Sequence, residues 1–163
     1  MSDLLGPQQI VLVTARAEIE QLGRKKIKDD IETVFWHMPV SKEELIYAVA
    51  IENHKHILGL INESGVFCIN FLGLDMLDSV KRCSSMHGEH IDKFSEIGFR
   101  KTEAQSIECP FIKEACAHMD CQVMQTIDFK DTTVLIAKII NSEVKYQVKR
   151  LFQLNNNYTT TKD

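Results

Sequence analysis

The sequence predicts a mainly β protein: an antiparallel barrel with short helices packed outside. Three observations carry this. Residues 121–129 and 132–140 form a strong hairpin pattern around the polar pair Lys130 and Asp131. Short apolar, β-branched runs recur along the rest of the chain. Strands and helices do not alternate regularly, as a parallel sheet would require.

Taken in order, residues 9–14 (QIVLVT) are a first strand, and residues 31–37 its partner. The polar stretch 16–28, with Gly23 and the basic cluster Arg24, Lys25, Lys26 and Lys28, reads as a solvated hairpin loop between them. Residues 45–51 are a third apolar run. Asn53 is then a reasonable N-cap for a helix carrying Ile57, Leu58, Leu60 and Ile61 on one side, with Gly65 ending it. Residues 66–71 are strand-like, and 75–84 and 91–97 read as short amphipathic helices, the second stopped by Gly98. In the hairpin, Cys121, Val123, Ile127 and Phe129 share one face, with Gln125 the exception. The following run is apolar on both faces apart from Lys138, the pattern of a fully covered strand. The total is six or seven strands and three or four short helices, with residues 155–163 a loose tail.

The chain has 163 residues, with 19 Lys plus Arg against 23 Asp plus Glu, a net charge of −4. That length suits one domain spanning 1–163 with a substantial core. The mild acidity and the absence of a basic face argue against nucleic acid. The longest apolar run, residues 45–51, is far short of a membrane span, and no secretory signal is visible. Five scattered cysteines do not suggest a disulfide framework, so a cytoplasmic location is expected.

Short catalytic signatures such as GxGxxG, GxxxxGK[ST], HExxH, CxxC and GxSxG are missing. Cys83, His87 and His90 form one Cys/His group, and Cys116, His118 and Cys121 another; neither has the second half of a zinc site, and buried thiols with surface imidazoles are the plainer reading. No metal is expected. Asn53, His54, Lys55 and His56 place a cation and hydrogen-bonding side chains at a helix start, which suits phosphate, although a solvated cap would look the same. Trp36, between Phe35 and His37, suits either core packing or a platform for a planar ring.

Several segments together resemble the flavin reductase-like family, and within it flavoredoxin. They are DIETVFWHMPVS at 30–41, YAVAI at 47–51, the helix at 53–61, ESGVFCIN at 63–70, CSSMHGEHIDKF at 83–94, CPFIKEACAHMDCQV at 109–123 and LFQLNNNYTT at 151–160. No single motif is diagnostic; their order and spacing over nearly the whole chain make the likeness. The resemblance implies an FMN-binding split β-barrel, usually a homodimer. It implies an oxidoreductase passing electrons through the flavin from a nicotinamide nucleotide or a small redox protein to an acceptor.

By that resemblance, Thr33, Phe35 and Trp36 lie beside the flavin ring and ribityl chain, and Val49, Ala50 and Ile51 line the pyrimidine edge. The FMN phosphate falls to Asn53, His54, Lys55, His56 and Ile57, with Lys93 arriving from elsewhere in the chain. No side chain is nominated as a general acid or base. Two positions depart from the family pattern: Asp30 stands where relatives commonly have Asn, and Ile57 where a Thr hydroxyl would contact phosphate. Each departure is worth about 1–2 kcal/mol against FMN. The alternative function is therefore a non-catalytic split-barrel binding module that has lost or weakened its FMN binding.

Overall fold

A computed structural model describes residues 6–154 and 157–161. A short strand β1 (Gln8–Gln9) leads into a long hairpin of β2 (Val11–Gln21) and β3 (Arg24–Val34), in register from Val11 opposite Val34 to Gln21 opposite Arg24. The stretch read as a loop is therefore mostly strand. Its polar residues need no buried face because charges match across the ribbon: Arg16 binds Asp29 at 2.7 Å and Lys25 binds Glu18 at 2.7 Å. The turn is only Leu22 and Gly23, both at positive φ (52° and 72°), the combination that suits a two-residue hairpin turn.

After β4 (His37–Ser41) and β5 (Ile46–Glu52) comes helix α1 (His56–Ser64), then β6 (Val66–Phe71), a 3₁₀ turn at Leu74–Met76, α2 (Leu77–Ser84) and α3 (Lys93–Ile97). The rest is strand: β7 (Lys101–Glu103), β8 (Pro110–Ile112), β9 (Ala117–Asp128), β10 (Thr132–Val144), β11 (Leu151–Leu154) and β12 (Asn157–Thr160). The main sheet is antiparallel throughout, in the order β3-β2-β6-β9-β10-β5-β4, with small sheets β1-β11-β12 and β7-β8 beside it. Its end strands do not pair with each other, so the sheet stays open, as a split barrel requires.

Three further expectations change. Asn53 does not cap α1: its amide donates to the Phe129 carbonyl at 3.0 Å and its oxygen accepts from Thr133 at 2.9 Å, which ties the end of β5 to the β9–β10 turn. The helix starts at His56, with Lys55 as an N-cap whose side chain makes no capping bond. Trp36 is not within a strand but in the break between β3 and β4. Residues 157–160, expected to be loose, pair with β11, while 155, 156, 162 and 163 lie outside the described residues. Among the described residues no helix is long and apolar enough to cross a membrane.

Strand alternation builds two cores. On one side Val11, Val13 and Ala15 of β2 pack with Ile57, Leu60 and Ile61 of α1; on the other Ile10 and Leu12 pack with Val80 and Cys83 of α2 and Phe94 of α3. Asp92 caps α3 by accepting from the Phe94 N–H at 3.1 Å.

His118 on β9 is 3% exposed, stacks on Phe111 with ring centroids 3.8 Å apart, and leaves Nδ1 without a hydrogen bond, its nearest carboxylate Glu143 lying 3.9 Å away. Burial lowers its pKa more than Asp120 and Glu143 raise it. The folded state therefore binds this proton less readily than the unfolded chain. Its neutral form supports the fold above the ordinary histidine value of about 6.5, and stability falls as pH drops below it. Thermal melts across mildly acidic pH should show the loss, and His118→Gln should flatten it.

Candidate functional site

The C-terminal half of β3 runs along the sheet's edge, past the starts of α1 and α3. Alternation sends Asp30 and Glu32 to the same side of the strand, where both are buried at 1% and 5% exposure. Buried carboxylates need partners, and two helices supply them. Lys93, at the first position of α3, is fully enclosed; its Nζ donates to the Ile31 carbonyl at 2.5 Å and lies 3.1 Å from Glu32 Oε2 and 3.6 Å from Asp30 Oδ1. From the start of α1, Lys55 Nζ reaches Glu32 Oε1 at 3.0 Å and His56 Nδ1 lies 3.1 Å from Asp30 Oδ2. Burial alone would lower the Lys93 ammonium, but Asp30 and Glu32 outweigh it and hold its pKa above the ordinary lysine value.

Gly88 closes this network. A Cβ there would meet the Asp30 carboxylate oxygens at 2.1 Å, so only a bare backbone fits. Gly88→Ala should displace Asp30 and cost about 1–3 kcal/mol, read as a lower midpoint in chemical denaturation.

In front of Glu32 opens a cavity of about 330 Å³. Its apolar walls come from Val34, Phe35 and Trp36 on one side and Ala50 and Ile51 on the other, brought together because the Trp36 carbonyl accepts from the Ala50 N–H at 2.9 Å. The Thr33 hydroxyl in this wall is buried and forms no hydrogen bond of normal geometry, although the Cys83 thiol lies beside it. The cavity's polar end is where Lys55 meets Glu32 and Glu52, and Ser84, Thr132, Gln8 and Gln153 add polar groups to the rest of the lining. On the other side of Trp36 a wide apolar trough of about 970 Å³ runs over Met38, Val40, Tyr47, Val49 and Ile136.

Of the residues nominated from sequence, Thr33, Phe35, Trp36, Ala50, Ile51 and Lys55 share the 330 Å³ cavity. Val49 is buried beneath the apolar trough, and Ile57 lies in the core with no exposed surface. Asp30 and Lys93 sit behind Glu32 rather than on the cavity wall. Asn53 and His54 are exposed, with His54 Nε2 3.7 Å from Glu52. His56 opens instead onto a separate trough with Glu18, Lys25 and Glu63. Sequence reasoning missed Glu32, although its place two residues after Asp30 put it on the same face. Gln8, Ser84 and Gln153 come from distant segments that carried no local signal. Among the described residues no group of three or more His, Cys, Asp or Glu side chains could hold a metal ion.

These residues fit a flavin ring. Two aromatic side chains and apolar strand ends offer its faces. The fit is poorer for a phosphate, because His54, Lys55 and His56 each already have a carboxylate within 4.0 Å.

Comparison with known proteins follows the same line. An uncharacterized protein of Archaeoglobus fulgidus is 25% identical over 114 residues, 70% of this chain and 64% of that protein, so the match spans a little under two thirds of the relative's own length. In fold, the chain is similar to flavoredoxin from Methanosarcina acetivorans, with a TM-score of 0.83 at 22% identity, covering 96% of this chain and 86% of that one. It is equally similar to an NADH:FAD oxidoreductase from Streptomyces globisporus, with a TM-score of 0.83 at 13% identity, covering 96% and 87%. Residues 4–162 match the family described as Flavin reductase like domain, nearly the whole chain, and the protein belongs to that family.

Proposed function

We propose that this protein is a flavin-dependent oxidoreductase, taking electrons from a nicotinamide nucleotide or a small redox protein and passing them to an acceptor. The observation that carries the reading is the 330 Å³ cavity in which Phe35 and Trp36 stand across from Ala50 and Ile51, with Lys55 from the start of α1 on the same wall. A bound flavin supplies the electron transfer itself. The chain's part is to hold the ring: Trp36 and Phe35 shelter it, Ala50 and Ile51 support it from β5, and the half-exposed Trp36 side leaves room for a donor. The reading assigns no general acid or base.

FMN is the form the family resemblance names, with its phosphate directed to Lys55 and His56. A homodimer belongs to the same reading. Met38 and Val40 are about half exposed along the apolar trough, a surface that a second copy would cover. So does a cytoplasmic location, since all five cysteines are free thiols.

Titrating the purified protein with flavin while following fluorescence, then assaying nicotinamide oxidation, tests the reading. Saturable binding with flavin-dependent oxidation is the expected result. One observation favours the second reading, a fold of this family that has lost or weakened FMN binding: the ion pairing at the start of α1. Protein that takes up no flavin would decide for it.

A further inference from the structure

We propose that the polar end of this cavity is built for a flavin tail without phosphate, so that riboflavin binds more tightly than FMN; this rests on the flavin reading above. Three charged side chains line that end, Glu32, Glu52 and Lys55. With the buried groups behind them counted, three carboxylates (Asp30, Glu32 and Glu52) face two ammonium groups (Lys55 and Lys93), which leaves it net negative. The ammonium is already matched, at 3.0 Å from Glu32 and 4.0 Å from Glu52.

The other cations nearby offer no relief. Lys93 is walled in behind Glu32 and bonded to the Ile31 carbonyl. His56 faces Asp30, and His54 faces Glu52. A phosphate dianion arriving here would have to draw Lys55 away from Glu32, a carboxylate 5% exposed, and leave that charge sharing Lys93 with Asp30 and buried beside its own. The start of α1 presents amide dipoles to an anion, but a helix end is a half-charge and each carboxylate a whole one.

A hydroxylated tail makes the opposite demand. Its hydroxyls donate, and Glu32 and Glu52 accept; they also accept, and Ser84, Thr132, Gln8 and Gln153 can donate.

The test is equilibrium titration of the full chain with riboflavin and with FMN, read by flavin fluorescence. The expected result is riboflavin binding at least tenfold more tightly. Glu32→Gln, which removes one carboxylate and frees Lys55, should shift the ratio at least tenfold toward FMN. Glu52→Gln, at a 59% exposed side chain where folding is not at stake, should shift it the same way by a smaller factor. FMN binding as tightly as riboflavin to the wild type, or a ratio that neither variant moves, overturns the proposal while leaving a flavin protein. Binding of neither flavin overturns the flavin reading itself, and this proposal with it.

Discussion

Replacing Lys93 with methionine is expected to destabilise the fold by about 3–5 kcal/mol, the usual cost of removing one partner from a buried ion pair. Methionine follows the lysine stem closely, so little packing is lost and the effect isolates the charge. What remains is Asp30 and Glu32, at 1% and 5% exposure, sharing only Lys55 and His56 from α1. The Ile31 carbonyl on the sheet's edge also loses its ammonium donor and keeps the weaker Cys83 thiol at 3.8 Å. For a chain of this length the loss corresponds to a fall of roughly 6–20 °C in melting temperature. Adding Glu32→Gln to Lys93→Met should recover part of it, because the second change removes a stranded charge. The wild type has an alkaline signature as well. The Lys93 pKa is raised, so its contribution is fully present below the unfolded lysine value of about 10.4 and is lost as pH rises through the higher folded value. The methionine variant should lack that limb. Urea denaturation at neutral and alkaline pH checks both, and a loss under about 1 kcal/mol would mean that the network is not holding β3 to α3.

The parts of this architecture that follow a local rule were legible. The β9–β10 hairpin was legible as paired strands, with β10 between β9 and β5 in the sheet. Its faces were not: a register shift interrupts the alternation, Ile127 and Phe129 are 40% and 59% exposed, and β10 is buried on one face only. The apolar side of α1 is set by Ile57, Leu58, Leu60 and Ile61, and Gly65 ends the helix at a φ of 71°. Misreadings arose where pairing, not composition, decides. Residues 16–28 have only a thin apolar face, Ala17 and Ile19 packed against the core of α1, and the two arms are otherwise held as strand by charges that neutralise each other across the ribbon. Asn53 has the chemistry of a helix cap, but the β9–β10 turn comes close enough to take its amide. At the site, the cavity walls could be nominated from motifs because they lie in two short segments. The charge state of the far end could not, since it depends on Glu32 meeting Lys55 across 23 residues and Lys93 across 61.

Trp36→Ala should separate binding from stability. Trp36 is 49% exposed, belongs to neither main core, and stands in a break between strands, so its truncation should change the unfolding free energy by no more than about 0.5 kcal/mol. If a flavin ring lies against it, the same change removes an aromatic contact worth about 1–2 kcal/mol, roughly a 5- to 30-fold loss in flavin affinity. Phe35→Ala makes the contrast. Phe35 lines the same cavity but is also packed against the core formed with α2 and α3, so that variant should lose affinity and stability together. Flavin titration and urea denaturation of the two variants give four numbers, and only a ring in this cavity predicts that the tryptophan variant falls in one and holds in the other. Equal flavin affinity in Trp36→Ala and wild type would move the ring elsewhere; equal stability losses in both variants would make Trp36 a structural residue.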